Sequence, residues 1–213
     1  MKRWTLLFVL LLCACGTGAP ENSEQLDLVV TSYKPDFAFK QVSTYAMPDK
    51  VVVISDPGTT PTQVDPALSQ DVLNQISSQL NSLGYVPVAT GGNAKPDLFV
   101  EVSQMTTVNT QVYYSYWPTY WGSYYAPYYG GAYGVGWSST SYPYVTTATL
   151  GSLIINVTDP NHPDPATQKI PSVWAAVLNG VVDNATTADI ERRVNAGIQQ
   201  AFAQSPYFSK KAP

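Results

Sequence analysis

The chain holds 213 residues, with 11 basic and 15 acidic side chains, one histidine and two cysteines. Its net charge of −4 speaks against nucleic-acid binding, which rests largely on Lys and Arg neutralising phosphates, and leaves no polybasic patch for anionic lipid. Both cysteines fall at positions 13 and 15, so no disulfide framework is available and stability has to come from a core, which a length suited to one domain allows.

Met1-Lys2-Arg3 leads into Trp4-Thr5 and an apolar run from Leu6 to Leu12 that closes in Cys13-Ala14-Cys15-Gly16. Charge, short apolar core and small residue are the layout of a secretory signal over residues 1–14. The run is much shorter than the roughly 20 apolar residues of a membrane-spanning helix. Leu12-Cys13-Ala14-Cys15 resembles a bacterial lipobox, and Cys15 fits its register because Cys13 would put Leu12 where a small residue belongs. The resemblance implies cleavage before Cys15 and acylation there, palmitate included, so that the lipid membrane is the first partner. Gly16, in place of an Asp that favours inner-membrane retention, implies sorting to the outer membrane, facing the periplasm. Residues 15–25 then form the lipidated N-terminus and a polar tether, and residues 26–213 a single domain.

In chain order, Leu26 to Tyr33 reads as a first strand, Phe37 to Met47 holds Phe39, Val42 and Tyr45, and Val51 to Ile54 adds a β-branched run. Asp65-Pro66 opens the clearest helix, with Asp65 as N-cap, Pro66 at N1 and Leu68, Val72, Ile76 and Leu80 recurring every fourth residue until Gly84 stops it. Tyr85 to Val88 is a short strand. Asp97 to Ser103 begins a longer one that extends towards Tyr114. Thr146 to Val157 gives another, with Leu150, Leu153, Ile155 and Val157 offered for burial. The proline-rich Asp159 to Pro165 forms a turn, and Val173 to Gly180 returns as the hairpin partner. Thr186 starts a second helix whose stripe is Ile190, Val194, Ile198, Ala201 and Phe202, ended by Ser205-Pro206. These elements predict an α+β fold: a mostly antiparallel sheet of about five strands, two amphipathic helices on one face, and a long Tyr/Trp-rich loop.

That loop, an insertion over residues 113–144, holds eleven Tyr, three Trp and no charged residue. Tyr and Trp pair a large apolar face with a polar tip, which suits surfaces that bind sugars, peptides or proteins. Tyr113, Tyr114, Tyr116, Trp117, Tyr120, Trp121, Tyr124, Tyr125 and Trp137 are the candidate binding surface. The competing readings are a low-complexity insertion that fills no site, and rings folded back as core.

No catalytic constellation stands beside it. His162, the single histidine, lies in a proline-rich turn without a nucleophile motif around it. Asp159, Asn161 and Asp164 offer oxygens but lack the Gly and terminal Glu of a calcium loop. Gly91-Gly92 and Gly130-Gly131 lack the lysine of a phosphate loop. Asp97 and Glu101 share a strand face and are the one carboxylate pair open to a hydrolytic reading, although Asp97 at the strand's start is more simply a turn or capping residue. No metal or other cofactor is expected.

Asp36-Phe37, Tyr45-Ala46, the Pro-led helix closing in Leu83-Gly84-Tyr85, and Lys95-Pro96-Asp97-Leu98-Phe99-Val100 follow one another in an order that resembles the periplasmic lipoprotein domain-of-unknown-function family 4136. Gly151 to Val157, a polar turn, Val173-Trp174 and the helix from Ile190 to Phe202 continue the likeness. The turn after Asp159 departs from it, being proline-rich where a lysine- or glycine-containing turn is expected. The resemblance implies a fold and an envelope setting but brings no reaction and no catalytic residues. The expectation is therefore a membrane-anchored, non-catalytic envelope lipoprotein binding another envelope component, protein or glycan, through its aromatic segment. A carbohydrate- or peptidoglycan-binding module and a hydrolase are the alternatives.

Overall fold

The helix after Asp65 is realised as its signals dictate. In the computed structural model, which describes residues 29–59, 64–89, 94–107, 120–133, 136–140, 150–182 and 186–210, α1 runs Pro66–Ser82 and the Asp65 carboxylate accepts the Ala67 and Leu68 N–H groups at 2.8 and 3.1 Å. At the other end Gly84, with φ +99°, lets the Tyr85 N–H reach Leu80 C=O and its own N–H reach Asn81 C=O. These two hydrogen bonds close the last turn and require a left-handed residue. The signal segment, Cys15 and the tether lie outside the described residues, as do Tyr113, Tyr114, Tyr116 and Trp117. Among the described residues no helix is long and apolar enough to cross a membrane.

Four antiparallel strands make the centre of the sheet: β1 (Val29–Tyr33), β5 (Leu98–Met105), β7 (Leu153–Thr158) and β9 (Ser172–Leu178), in the order β1-β9-β7-β5. The expected hairpin across the proline-rich turn is β7 with β9. Three short strands then join in parallel, β2 (Thr44–Ala46) and β3 (Val52–Ile54) on β5, and β4 (Val86–Pro87) on β2. The sheet therefore has seven strands, not about five. All three short strands fall within runs named from sequence, β2 in Phe37 to Met47, β3 in Val51 to Ile54 and β4 in Tyr85 to Val88, so the difference lies in the count and not in the places. A two-stranded ribbon of β6 (Ser138–Ser139) and β8 (Lys169–Ile170) lies apart from it.

Alternation along the strands sorts the side chains into two layers. Leu98, Val100 and Val102 of β5, Leu153, Ile155 and Val157 of β7, and Trp174 and Leu178 of β9 join α1 and a C-terminal helix in one core. That helix, Thr187–Ala203, is capped by Thr186 and buries Val194, Ile198, Ala201 and Phe202. Both amphipathic helices thus share one face, as expected. Leu150 does not belong to the core: it is 59% exposed, ahead of the strand that begins at Leu153.

The opposite face has no cover among the helices read from sequence. It is instead covered by a third helix within the aromatic segment, α2 (Gly122–Tyr129), which places the C-terminal helix third in order as α3. Eight residues with Pro127 inside have little intrinsic helical tendency. What fixes α2 is burial of its rings against the sheet.

Candidate functional site

On this second face β5, β7 and β9 present a mixture that strand alternation reads as a wet surface. Phe99, Met105, Ile154, Ala175 and Val177 are apolar, but Glu101, Ser103, Asn156, Thr158 and Ser172 stand among the buried polar residues of the same strands. Tyrosine covers such a face well, because the ring fills space while the hydroxyl meets polar groups. Tyr125 stacks on Phe99 with centroids 4.1 Å apart, and Tyr133 meets Tyr125 edge-on at 5.7 Å and Trp137 at 5.1 Å.

Beneath the rings runs a closed polar network. The Tyr125 hydroxyl donates to Glu101 Oε1 at 3.1 Å, Asn156 Nδ2 donates to Oε2 at 2.7 Å, and Thr158 Oγ1 lies 2.5 Å from the phenol. Ser172 donates to Asn156 Oδ1, and its own N–H donates to Thr140 Oγ1 at 2.6 Å. Burial, reinforced by the charge of Glu101, holds the Tyr125 phenol well above its ordinary pKa, so it stays a donor. Each buried polar group here is worth most as part of a satisfied set. Nothing in the alternation singles out Glu101 as buried.

The aromatic candidates consequently divide. Trp121 and Tyr125 are fully buried, which corrects their assignment to a contact surface: their rings are core. Trp137 is half-buried against Tyr133. Tyr120 and Tyr124, also half-buried, reach the surface together in a groove of about 380 Å³. The floor of that groove is β3, one wall is Val64, Pro66 and Ser69 at the start of α1, and the other is Tyr120, Ser123 and Tyr124. Lys50 also lines it. Burial, and after it the charge of Asp49, raises the Tyr124 pKa above its usual value, so its hydroxyl is neutral there. Val51, Val53, Lys50 and Ser69 give no warning of this role in sequence, since a β-branched run, a turn lysine and a helix serine all have ordinary structural uses.

The other candidates are occupied by structure. Asp97 Oδ2 accepts the Ser43 N–H at 2.8 Å, the Thr44 N–H at 2.9 Å and the Thr44 hydroxyl at 2.8 Å, which makes it a brace between β2 and β5. Glu101 lies under the aromatic layer, so the two carboxylates do not share an open cleft. His162 Nδ1 sits 2.8 Å from Asp159 Oδ2 with its side chain 82% exposed. Asp164 accepts the Ala166 N–H and the Thr167 hydroxyl of its own turn. No group of three metal-ligating side chains occurs among the described residues. Trp174 is core, with Nε1 donating to Ser205 Oγ at 2.9 Å.

The family model described as "Domain of unknown function (DUF4136)" matches residues 29–207. The crystal structure of a DUF4136 family protein from Bacteroides thetaiotaomicron is similar at 27% identity and a TM-score of 0.62, over 87% of this chain and 98% of that one. Two looser likenesses are a PelC dodecamer from Paraburkholderia phytofirmans, at 9% identity and TM-score 0.38 over 83% and 96% of the two chains, and a PDZ domain protein from Parabacteroides distasonis, at 14% and 0.41 over 85% of this chain and 36% of that one. At those scores neither bears on function. Among curated proteins none matches.

Proposed function

The chain belongs to the DUF4136 family, a domain of unknown function, and from that premise we propose a membrane-anchored, non-catalytic lipoprotein of the bacterial envelope that holds another envelope component in the groove beside α2. The anchor is acylated Cys15, read from Leu12-Cys13-Ala14-Cys15. Several acyl chains on one residue hold firmly, since each buried methylene adds about 0.8 kcal/mol.

The observation that carries the binding half is the division of the aromatic segment. Rings needed to cover the sheet are buried, whereas Tyr120 and Tyr124 line an open groove with Lys50 and Ser123. Interface energy concentrates in such Tyr anchors. The non-catalytic half is supported by the use of Asp97 as a brace and of Glu101 within a closed network. Replacing Tyr120 and Tyr124 together by Ser is expected to abolish co-purification of an envelope component from detergent-solubilised membranes while the melting temperature changes by only a few degrees. Undiminished co-purification by a folded double variant rules the groove out as the contact.

A further inference from the structure

The floor of the groove is more specific than its walls. β3 pairs with β5 on one side only, and among the described residues no strand lies on the other. Ile54 C=O accepts the Thr106 N–H at 2.9 Å, on the β5 side. Val51 N–H donates the opposite way, to Ser69 Oγ of α1 at 2.8 Å. Backbone groups of successive strand residues alternate between the two edges, so the Val53 N–H and C=O share the outward side with Val51 and meet the groove between α1 and α2. An open donor and acceptor on a strand edge are a template for one further strand.

From this edge, and on the reading of the groove given above, we infer that the bound component is an extended peptide segment that adds a short parallel or antiparallel strand to β3. Its main chain pairs with the Val53 N–H and C=O, and its side chains alternate between the Tyr120 and Tyr124 rings and the α1 wall. Lys50 lines the groove and makes no ion pair among the described residues, which favours a segment that carries a carboxylate. A glycan uses the rings but has no regular N–H and C=O repeat to match the edge. The groove's volume of about 380 Å³ lies at the small end of the ~300–1,000 Å³ range of ligand sites, in keeping with a strand of only three residues, Val52–Ile54.

The test uses the lipid-free domain from residue 16 to the C-terminus and a displayed library of random heptapeptides with free C-terminal carboxylates. The expected result is enrichment of β-branched sequences with an acidic residue or the terminal carboxylate in fixed register. Binding of the enriched peptide should weaken at least tenfold in Lys50→Gln and in Tyr120→Ser/Tyr124→Ser. Amide hydrogen exchange at Val53, read in the unsubstituted domain, should slow at least tenfold when the peptide is added. A peptide that binds without slowing Val53 exchange overturns the inference. So does failure to enrich any peptide; if soluble peptidoglycan disaccharides then bind and lose affinity in the tyrosine double variant, the groove stands as a site and the peptide falls. If neither probe binds, both readings fall together.

Discussion

Trp121→Ala separates core from contact surface within one segment. Trp121 is fully buried at the N-terminal end of α2, in the layer that holds Ile54, Phe99, Met105 and Tyr125, and its ring lies 5.9 Å from that of Tyr124. Truncating a buried Trp costs about 3–5 kcal/mol in lost transfer energy and residual cavity. Among the described residues its Nε1 has no hydrogen-bond partner, so the substitution breaks no bond there and removes a buried unpaired donor whose presence costs about 1–3 kcal/mol. At the middle of each range, about 4 less about 2, the net loss is about 2 kcal/mol. For a domain of this size that lowers the melting temperature by roughly 4–8 °C, at about 2–4 °C per kcal/mol. Urea unfolding followed by far-UV circular dichroism gives the free energy directly, and Trp121→Phe, which keeps a ring and drops the donor, should lose less than half as much. A loss below about 1 kcal/mol for Trp121→Ala, on the scale of a surface change, would refute the placement of α2 as the cover of the second sheet face.

Gly197→Ala tests the contact of α3 with the sheet: a Cβ there would meet Leu178 Cδ2 at 2.7 Å, so the overpacking cost of about 1–3 kcal/mol should outweigh the gain of about 1 kcal/mol in helix propensity, and calorimetry should show a lower melting temperature. Asp97 gives a pH dependence. Burial opposes its ionisation, but the Ser43 and Thr44 amides, the Thr44 hydroxyl and the charge of Lys210 prevail and hold the carboxyl below its usual range. Its contribution is therefore present above the unfolded carboxylate value of about 3.9 and is lost as pH falls through the folded one; Asp97→Asn should be less stable near neutrality and show a flatter stability profile below pH 4. Cys15→Ala should abolish incorporation of labelled fatty acid while Cys13→Ala leaves it intact, and acylation of the Cys15→Ala protein would remove the anchor from the proposal.

What the sequence made legible follows physical determinacy. Asp65-Pro66, a four-residue apolar repeat and Gly84 each demand the same helix, and the structure obeys all three. The β7–β9 hairpin was equally plain, because Pro160, Pro163 and Pro165 can only break a sheet and the flanking runs are long enough to alternate. The second core was hidden for a reason that the strands themselves explain: Glu101, Asn156 and Thr158 imitate a solvated face, and only a cover able to satisfy them makes burial acceptable. α2 was hidden as well, since Tyr, Gly and Pro in a row carry no helical repeat and the helix exists through tertiary contact. The groove depends on both hidden features. Composition marked the segment but could not divide Trp121 and Tyr125, which face inward, from Tyr120 and Tyr124, which line the groove.

The groove beside α2 can be questioned most directly in living cells, with a photoreactive phenylalanine analogue placed at position 124 in the full-length chain and, as control, at position 150, where Leu150 is 59% exposed and away from the groove. Irradiation should give a discrete adduct from position 124, absent when Lys50→Gln and Tyr120→Ser are added, and none from position 150. No adduct from position 124, or the same adducts from both positions, would contradict the assignment of this groove as the contact surface.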